Sequence, residues 1–291
     1  MRFLHCLLLL VLAGASIASP AQDASADGWA DILRRELARG VPLPRLSTLV
    51  PDLDLALAYA IQESFVAAER IERGIGGYKA GFTNAPAQAR FGLDAPVHGV
   101  LYADGERHDG AAIDLAGFAR PMVELEIGFR LLSAIRRPMK SVADLRTYVS
   151  DVVPAVELPD LHYDEFDQLN GLDIVATNIA SRAYVVGKPL PLAGLDTVNE
   201  LAVALYHDGE LIDEGHARNA MGDQLEALLW LVNRVQAAGW PLEPGQLLIT
   251  GTLGRINPAA PGRYRAEYRA AGAARGALEF TLTGEVQASA R

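Results

Sequence analysis

The sequence predicts an α+β fold in which N-terminal helices precede a region made mostly of short strands. Up to about residue 73, apolar residues recur at helical spacing. Beyond Tyr78, short apolar runs alternate with turn residues, as strands do. Helical patterns interrupt these strands only twice, which differs from the regular alternation of βαβ units. We expect a single domain over residues 22–291, with a helical part at 22–76 and a strand-rich part at 77–291.

Two helices are predicted in the N-terminal part. The first spans residues 28–39, with its apolar face at Trp29, Ile32, Leu33 and Leu37. Three prolines in 41–51 indicate a loop. Asp52 can cap the second helix, and the glycines that begin at Gly74 end it.

The strand-rich part contains two hairpin signals and two inserted helices. Asp104-Gly105 and Asp208-Gly209 lie between apolar runs, which is typical of hairpin turns. A capping box that begins at Ser141 predicts one helix, and a second is predicted from about residue 224 to 238. Strands are predicted again at 246–250, 263–269 and 277–284.

Residues 1–21 have the features of a secretory signal peptide. Arg2 is the only charged residue, an apolar core follows it, and small residues precede Gln22 at the expected cleavage site. A membrane anchor is the alternative, but the apolar run is shorter than the roughly 20 residues that a span needs. We expect an exported protein, periplasmic or secreted, with no stable membrane insertion after cleavage.

Composition excludes several classes of protein. With 50% hydrophobic and 21% charged residues, the 291-residue chain can bury a core, so it is not disordered. The net charge of −10 and the absence of a basic stripe argue against nucleic acid as a partner. The only cysteine, Cys6, lies in the leader, so the mature chain would have neither a disulfide nor a thiol nucleophile.

The segment from Met122 to Phe129 is the most informative strand pattern. Its odd-numbered residues are apolar, while Glu124 and Glu126 share the opposite face with carboxylates roughly 6–7 Å apart along the chain. Glu157 ends a second apolar strand, where a buried acid is costly. Three converging carboxylates would suit a hard cation such as Mg²⁺ or Mn²⁺. Taken alone, a Glu-x-Glu strand most often has a solvated face.

A glycine-rich strand at 76–84 places Lys79 and Gly81 on one side. Glycines allow close backbone approach. Lys79 could therefore face an anionic substrate next to the metal, or be a solvated lysine beside a tight sheet crossing.

Together these segments resemble the 2-keto-4-pentenoate hydratase branch of the fumarylacetoacetate hydrolase superfamily. The resemblance runs in order from about residue 55 to 285 through Ala58-Tyr59-Ala60-Ile61-Gln62, Gly77-Tyr78-Lys79-Ala80-Gly81-Phe82-Thr83, Gly99-Val100-Leu101, Pro121-Met122-Val123-Glu124-Leu125-Glu126-Ile127, Pro154-Ala155-Val156-Glu157 and Asn219-Ala220-Met221-Gly222.

The resemblance implies a mixed β-roll and an enzyme of 2-oxo acid chemistry. Mg²⁺ or Mn²⁺ would be held by Glu124, Glu126 and Glu157, and would stabilise the enolate of a 2-oxo acid or 2-hydroxydienoate. Hydration is the expected reaction, in the catabolism of aromatic compounds, with a homo-oligomer as the expected assembly. The substrate-binding residues implied in this way are Lys79, Thr83, Asn178 and Thr252.

The acid/base part of the pattern departs from the family. Val97 stands where a carboxylate is frequent, and Thr177 replaces an aspartate. We therefore expect catalysis by Lys79 with His98 as the candidate base and Asp160 as the next candidate. An acylpyruvate-type C–C hydrolase, a decarboxylase and a non-catalytic binding protein stay open as alternatives.

Overall fold

A computed structural model describes residues 25–163 and 165–286 of the chain. The predicted signal peptide at 1–21 lies outside these residues. Seven α-helices are present in the described part: α1 (Ala26–Ala38), α2 (Leu46–Leu49), α3 (Leu55–Arg73), α4 (Ala85–Phe91), α5 (Val142–Arg146), α6 (Gly171–Ala176) and α7 (Gln224–Ala237).

The described residues also form thirteen strands in two sheets, as an α+β fold requires. They are β1 (Ile75–Gly81), β2 (Val97–Tyr102), β3 (Glu106–His108), β4 (Ala111–Asp114), β5 (Met122–Leu131), β6 (Val149–Leu158), β7 (Ala183–Val186), β8 (Ala202–His207), β9 (Glu210–His216), β10 (Leu247–Ile249), β11 (Asn257–Pro258), β12 (Gly262–Ala270) and β13 (Ala273–Thr283).

The N-terminal helices follow the predicted pattern with two corrections. The cap of α3 is Asp54 and not Asp52, because its carboxylate accepts a 2.8 Å hydrogen bond from the Leu57 N–H. Gly74 ends α3 with a φ of +64°, which favours glycine. The predicted loop at 41–51 contains the single-turn helix α2, whose Leu46 is buried in the core.

The first sheet has the strand order β2-β1-β10-β5-β6-β7-β3, with β11 paired to β5. Its edge strands β2 and β3 are consecutive in sequence and joined only by the 3₁₀ turn at Ala103–Gly105. Because three residues span little distance, the two edges lie close together and the sheet must curl. The hairpin predicted at Asp104-Gly105 is therefore wrong, since β3 pairs in parallel with β7.

The second sheet has the order β4-β13-β12-β8-β9. Its β8–β9 hairpin turns at Asp208-Gly209, as predicted, and both residues have positive φ. Parallel pairs occur in both sheets beside antiparallel ones, so the predicted mixed sheet arrangement is confirmed.

The two faces of the curled first sheet pack against different sets of residues. Its outer face joins the main core, to which β5 contributes Val123, Leu125, Ile127 and Phe129. Its inner face holds a small apolar cluster that includes Leu247, Ile249 and Val153, packed around Gly128. In the strand register, Glu124, Glu126, Glu157 and Lys79 continue this inner face. The polar residues therefore lie at one end of the inside of the roll.

Within the described residues, no helix combines the length and the apolar character that a membrane crossing requires.

Candidate metal and substrate site

Three carboxylates meet across the β5–β6 pair. Glu124 lies opposite Glu157 in the antiparallel register, and Glu126, two residues along, lies opposite Ala155. One carboxylate oxygen from each glutamate lies within 4.8 Å of the others. Directly opposed like charges repel in a sheet, so this pairing indicates a compensating cation.

The carboxylates are shielded from water. Glu126 and Glu157 are each 1% exposed, and Glu124 is only partly exposed. The solvated-face alternative is therefore wrong for this Glu-x-Glu strand. Burial, and then the Glu157 charge, raise the pKa of Glu124 to about 7, and the same causes raise the pKa of Glu126 well above its usual value. Burial also raises the pKa of Glu157, against the lowering effect of Lys79.

Lys79 is buried beside this cluster and is not a solvated lysine. Its Nζ donates hydrogen bonds to Glu157 Oε1 and, at 3.0 Å, to the Ile179 carbonyl. An ammonium group has three donors, so one N–H stays available for a ligand. The second carboxylate oxygen of Glu157, Oε2, is buried without a hydrogen-bond partner among the described residues. Such an oxygen is costly unless something occupies the site.

Backbone groups from two loops complete the site. The Gly251 N–H donates a 2.7 Å hydrogen bond to Glu126 Oε2. Gly251 has a φ of +104°, and a Cβ there would overlap the Thr83 hydroxyl, so a glycine is required. Asn178, Ile179 and Ala180 all have left-handed backbone conformations, which are strained for an isoleucine. This turn aims the Ile179 carbonyl at Lys79.

A cavity of about 390 Å³ opens from this cluster, a size typical of small-molecule sites. Lys79, Thr83, Glu124, Glu126 and Thr252 line it together. Within the described part of the chain, the hydroxyls of Thr83 and Thr252 are buried without a hydrogen-bond partner. Lys79, Thr83 and Thr252 were all predicted to bind substrate. The structure brings them together with β5, the strand that carries Glu124 and Glu126 and is called the metal strand below.

His98 lies elsewhere, which corrects its predicted position as a base. In the β1–β2 register it pairs with Ala80, whereas Lys79 pairs with Gly99. Because neighbouring residues of a strand point to opposite faces, His98 points away from Lys79. Its ring stacks on Tyr59 and its Nδ1 lies 3.0 Å from the Tyr59 hydroxyl. Burial lowers the pKa of His98 to about 4.

Asp160 and Asn178 are also committed to structural contacts. The Asp160 carboxylate accepts hydrogen bonds from the backbone N–H groups of Ala119 and Arg120, outside the cavity that contains Lys79. The Asn178 amide bonds the N–H and C=O of Val100 at 2.7 and 2.9 Å. Neither side chain is placed to act on a ligand beside the carboxylates, so the roles predicted for them are not supported.

Four residues of the site were missed from sequence. Gly251 and Ile179 act through backbone atoms. No residue pattern predicts that an isoleucine will have a left-handed backbone conformation. Arg90 and Arg255 line the same cavity from a helix end and a loop. Only their positive charge could have singled them out, and the chain has 26 lysines and arginines.

Comparison with known proteins identifies relatives over most of the chain. It is 32% identical over 257 residues to a 2-keto-4-pentenoate hydratase of Burkholderia vietnamiensis, covering 87% of this chain and 97% of the relative. It is 32% identical over 239 residues to the TodF product hydratase of Pseudomonas putida, covering 80% and 87%. No protein-family model matches the chain.

Solved structures share the fold. A 4-oxalocrotonate decarboxylase from Pseudomonas putida G7, complexed with magnesium and adipate, superposes with a TM-score of 0.77 at 23% identity, covering 89% of this chain and 97% of that one. A fumarylpyruvate hydrolase from Pseudomonas aeruginosa, in complex with Mn²⁺ and pyruvate, gives a TM-score of 0.55 at 17% identity, covering 72% and 89%. With the sequence relatives and the fold in agreement, the chain belongs to the 2-keto-4-pentenoate hydratase family, a family of hydro-lyases with the fumarylacetoacetate hydrolase fold.

Proposed function

We propose that this protein is a divalent-metal-dependent hydratase of 2-hydroxydienoates and the corresponding 2-oxo acids. The observation that carries the proposal is the cluster of Glu124, Glu126 and Glu157 beside Lys79. Lys79, Glu124 and Glu126 line one cavity. The hydratase names of its relatives support the reaction, and the magnesium and manganese in two fold neighbours support the metal.

The donor set fits a hard divalent cation. All three groups offer carboxylate oxygens, and the buried, unpartnered Oε2 of Glu157 is an oxygen that a cation would satisfy. When bound, Mg²⁺ or Mn²⁺ supplies a Lewis acid for the adjacent carboxylate and 2-oxo oxygens of the substrate. The Gly251 N–H donates to Glu126 Oε2 and so restricts the orientation of this carboxylate.

Lys79 is proposed to bind the substrate carboxylate. Glu157 and the Ile179 carbonyl fix two directions of its ammonium group, and the third N–H is free to donate. The contact with Glu157 also lets a proton pass between Nζ and a carboxylate without water. The Thr83 and Thr252 hydroxyls can hold further substrate oxygens, since they line the cavity and lack partners within the described residues.

A substrate panel tests this function. Purified protein with Mg²⁺ is incubated with 2-hydroxypenta-2,4-dienoate, an acylpyruvate and a 2-oxo-3-enedioate, and the products are identified by NMR. We expect the diene to gain one water molecule. C–C cleavage of the acylpyruvate, or release of CO₂ from the enedioate, without any hydration would contradict the proposal in favour of a hydrolase or decarboxylase. No turnover of any substrate would favour a binding protein.

Export and a homo-oligomeric assembly are proposed on sequence grounds alone. The support for export is the charge and apolar pattern of residues 1–21. N-terminal sequencing of protein from the native host should give a start near Gln22, and an intact Met1 on a cytosolic form would contradict export. Light scattering of the purified protein should give at least twice the mass of one mature chain, and the mass of a single chain would contradict a homo-oligomer.

A further inference from the structure

The catalytic cavity has a second charged end. Lys79, at 2% exposed, and Glu126, at 1%, mark its closed end. Arg90 is exposed, and the Arg255 side chain is 76% exposed, yet both line the same cavity. The gradient of burial therefore places these two guanidinium groups at the mouth.

Apart from its charged residues, the cavity wall is largely apolar. Phe82, Phe91, Ile174 and Ile256 are among the residues that line it. An apolar wall between two polar ends fits a hydrocarbon chain with a polar group at each end.

Among residues 25–163 and 165–286, the positive charge at the mouth is only partly matched by carboxylates. Arg90 has its guanidinium carbon 5.3 Å from the ring centre of Phe91 and 5.2 Å from that of Phe166, contacts that orient it but carry no opposite charge. It forms no ion pair with any residue in 25–163 or 165–286. Arg255 has one carboxylate neighbour, the buried Asp213, at 3.5 Å. The described residues thus supply one paired carboxylate, on Arg255, for two guanidinium groups, and Arg90 has none among them.

We infer that the substrate of this enzyme is a dicarboxylate, whose 2-oxo acid end lies at Lys79 and whose distal carboxylate is bound by Arg90 and Arg255. A carboxylate is the natural partner of a guanidinium fork. This inference rests on the proposed function, because it assigns the 2-oxo acid end to the closed end of the cavity. It goes further in naming the chemical class at the other end.

A matched pair of stable ligands tests the inference. 2-Oxopentanoate and 2-oxohexanedioate differ only by the distal carboxylate, and their dissociation constants are measured by calorimetry with Mg²⁺ present. Wild-type protein should bind the dicarboxylate at least tenfold more tightly. Arg90→Gln and Arg255→Gln should each reduce that preference roughly tenfold, measured in each variant as the ratio of the two dissociation constants. Higher ionic strength should also reduce the preference, because the mouth is exposed.

Arg120→Gln is the control. Arg120 is another exposed arginine, which lies 4.7 Å from the Phe166 ring centre but does not line the cavity. Its variant should keep the preference. Equal affinities of wild-type protein for the two ligands, no measurable binding of either, or an equal loss in Arg120→Gln would overturn the inference.

Turnover assays distinguish a failure of the dicarboxylate inference from a failure of the proposed hydratase function. Hydration of 2-hydroxypenta-2,4-dienoate without any preference for the dicarboxylate ligand would contradict the inference alone. A dicarboxylate preference in binding, with no hydration of either the dienoate or its dicarboxylate counterpart, would contradict the proposed function alone.

Discussion

Tyr268 on β12 fixes the backbone of the metal strand at Glu126. Its hydroxyl donates to the Glu126 carbonyl at 2.7 Å and lies 2.9 Å from the carbonyl of Ala155, the residue opposite Glu126 on β6. The second sheet therefore holds the two strands that carry all three carboxylates. Because ligand geometry depends on such supporting contacts, Tyr268 is a positioning residue for the site.

Replacing Tyr268 with phenylalanine should loosen the site. Loss of this buried hydroxyl should lower the free energy of unfolding by about 1–3 kcal/mol and weaken Mg²⁺ binding roughly tenfold or more. Tyr264→Phe is the matched control, since Tyr264 lies on the same strand but bonds Ala260. Both variants should lose stability in urea unfolding, and only Tyr268→Phe should lose metal affinity. Equal metal affinities would remove Tyr268 from this role.

The raised pKa of Glu124 predicts a pH-dependent stability of the metal-free protein. Burial favours its neutral form in the folded state, so its stabilising contribution is complete below the unfolded pKa of about 4.5 and disappears as pH rises through about 7. The loss should be about 2–3 kcal/mol. Urea unfolding in EDTA should therefore show lower stability at pH 8 than at pH 5.

Metal should act in the opposite direction. A cation requires ionised carboxylates, so Mg²⁺ should bind more tightly as pH rises from 5 to 8 and release protons when it binds near pH 6. Glu124→Gln should reduce the fall of stability with pH in EDTA, and the fall that remains should come from Glu126 and Glu157, whose pKa values are also raised. A wild-type profile that stays flat would show that Glu124 is ionised throughout.

His98 should contribute to stability and not to the chemical step. Burial lowers its pKa to about 4, so the folded state favours the neutral ring. Its contribution is complete above the unfolded pKa of about 6.5 and is lost as pH falls through about 4, by about 3 kcal/mol. His98→Gln should flatten the loss of stability between pH 7 and 4.5 and leave the turnover rate within about threefold of wild type. If turnover instead slowed by two orders of magnitude, His98 would again be a candidate base.

Lys79 should matter for binding of the 2-oxo acid end. Oxalate offers two adjacent oxygen pairs like those of a 2-oxo acid enolate, so it should inhibit the enzyme. Lys79→Ala should weaken oxalate binding by about 1.5–3 kcal/mol in calorimetry with Mg²⁺. Lys188→Ala, at an exposed lysine, is the control and should leave oxalate affinity unchanged. The same affinity in both variants would exclude a contact between Lys79 and the ligand.

The metal strand could be predicted because apolar residues and glutamates alternate in its sequence. Alternation at a period of two separates Glu124 and Glu126 from their apolar neighbours in any strand. The opposition of Glu124 and Glu157 could not be predicted, because register depends on pairing partners far apart in sequence.

The wrong predictions of a hairpin at Asp104-Gly105 and of a base at His98 have a common physical cause. Asp104-Gly105 has the residue types of a hairpin turn. In the curled first sheet, however, it connects the two edge strands, β2 and β3. His98 and Lys79 belong to adjacent strands, yet the register places them on opposite faces. In both cases the local residue types predict the conformation of the segment. The tertiary structure determines which other residues the segment contacts.

Titration of the metal-free protein with Mn²⁺, for wild type and Glu126→Gln, tests the central claim most directly. Glu72→Gln, at an exposed glutamate near the end of α3, serves as control. The claim that Glu124, Glu126 and Glu157 form one cation site predicts one Mn²⁺ per chain in wild type and control, and an affinity at least 100-fold weaker in Glu126→Gln. Unchanged Mn²⁺ affinity in Glu126→Gln would contradict it.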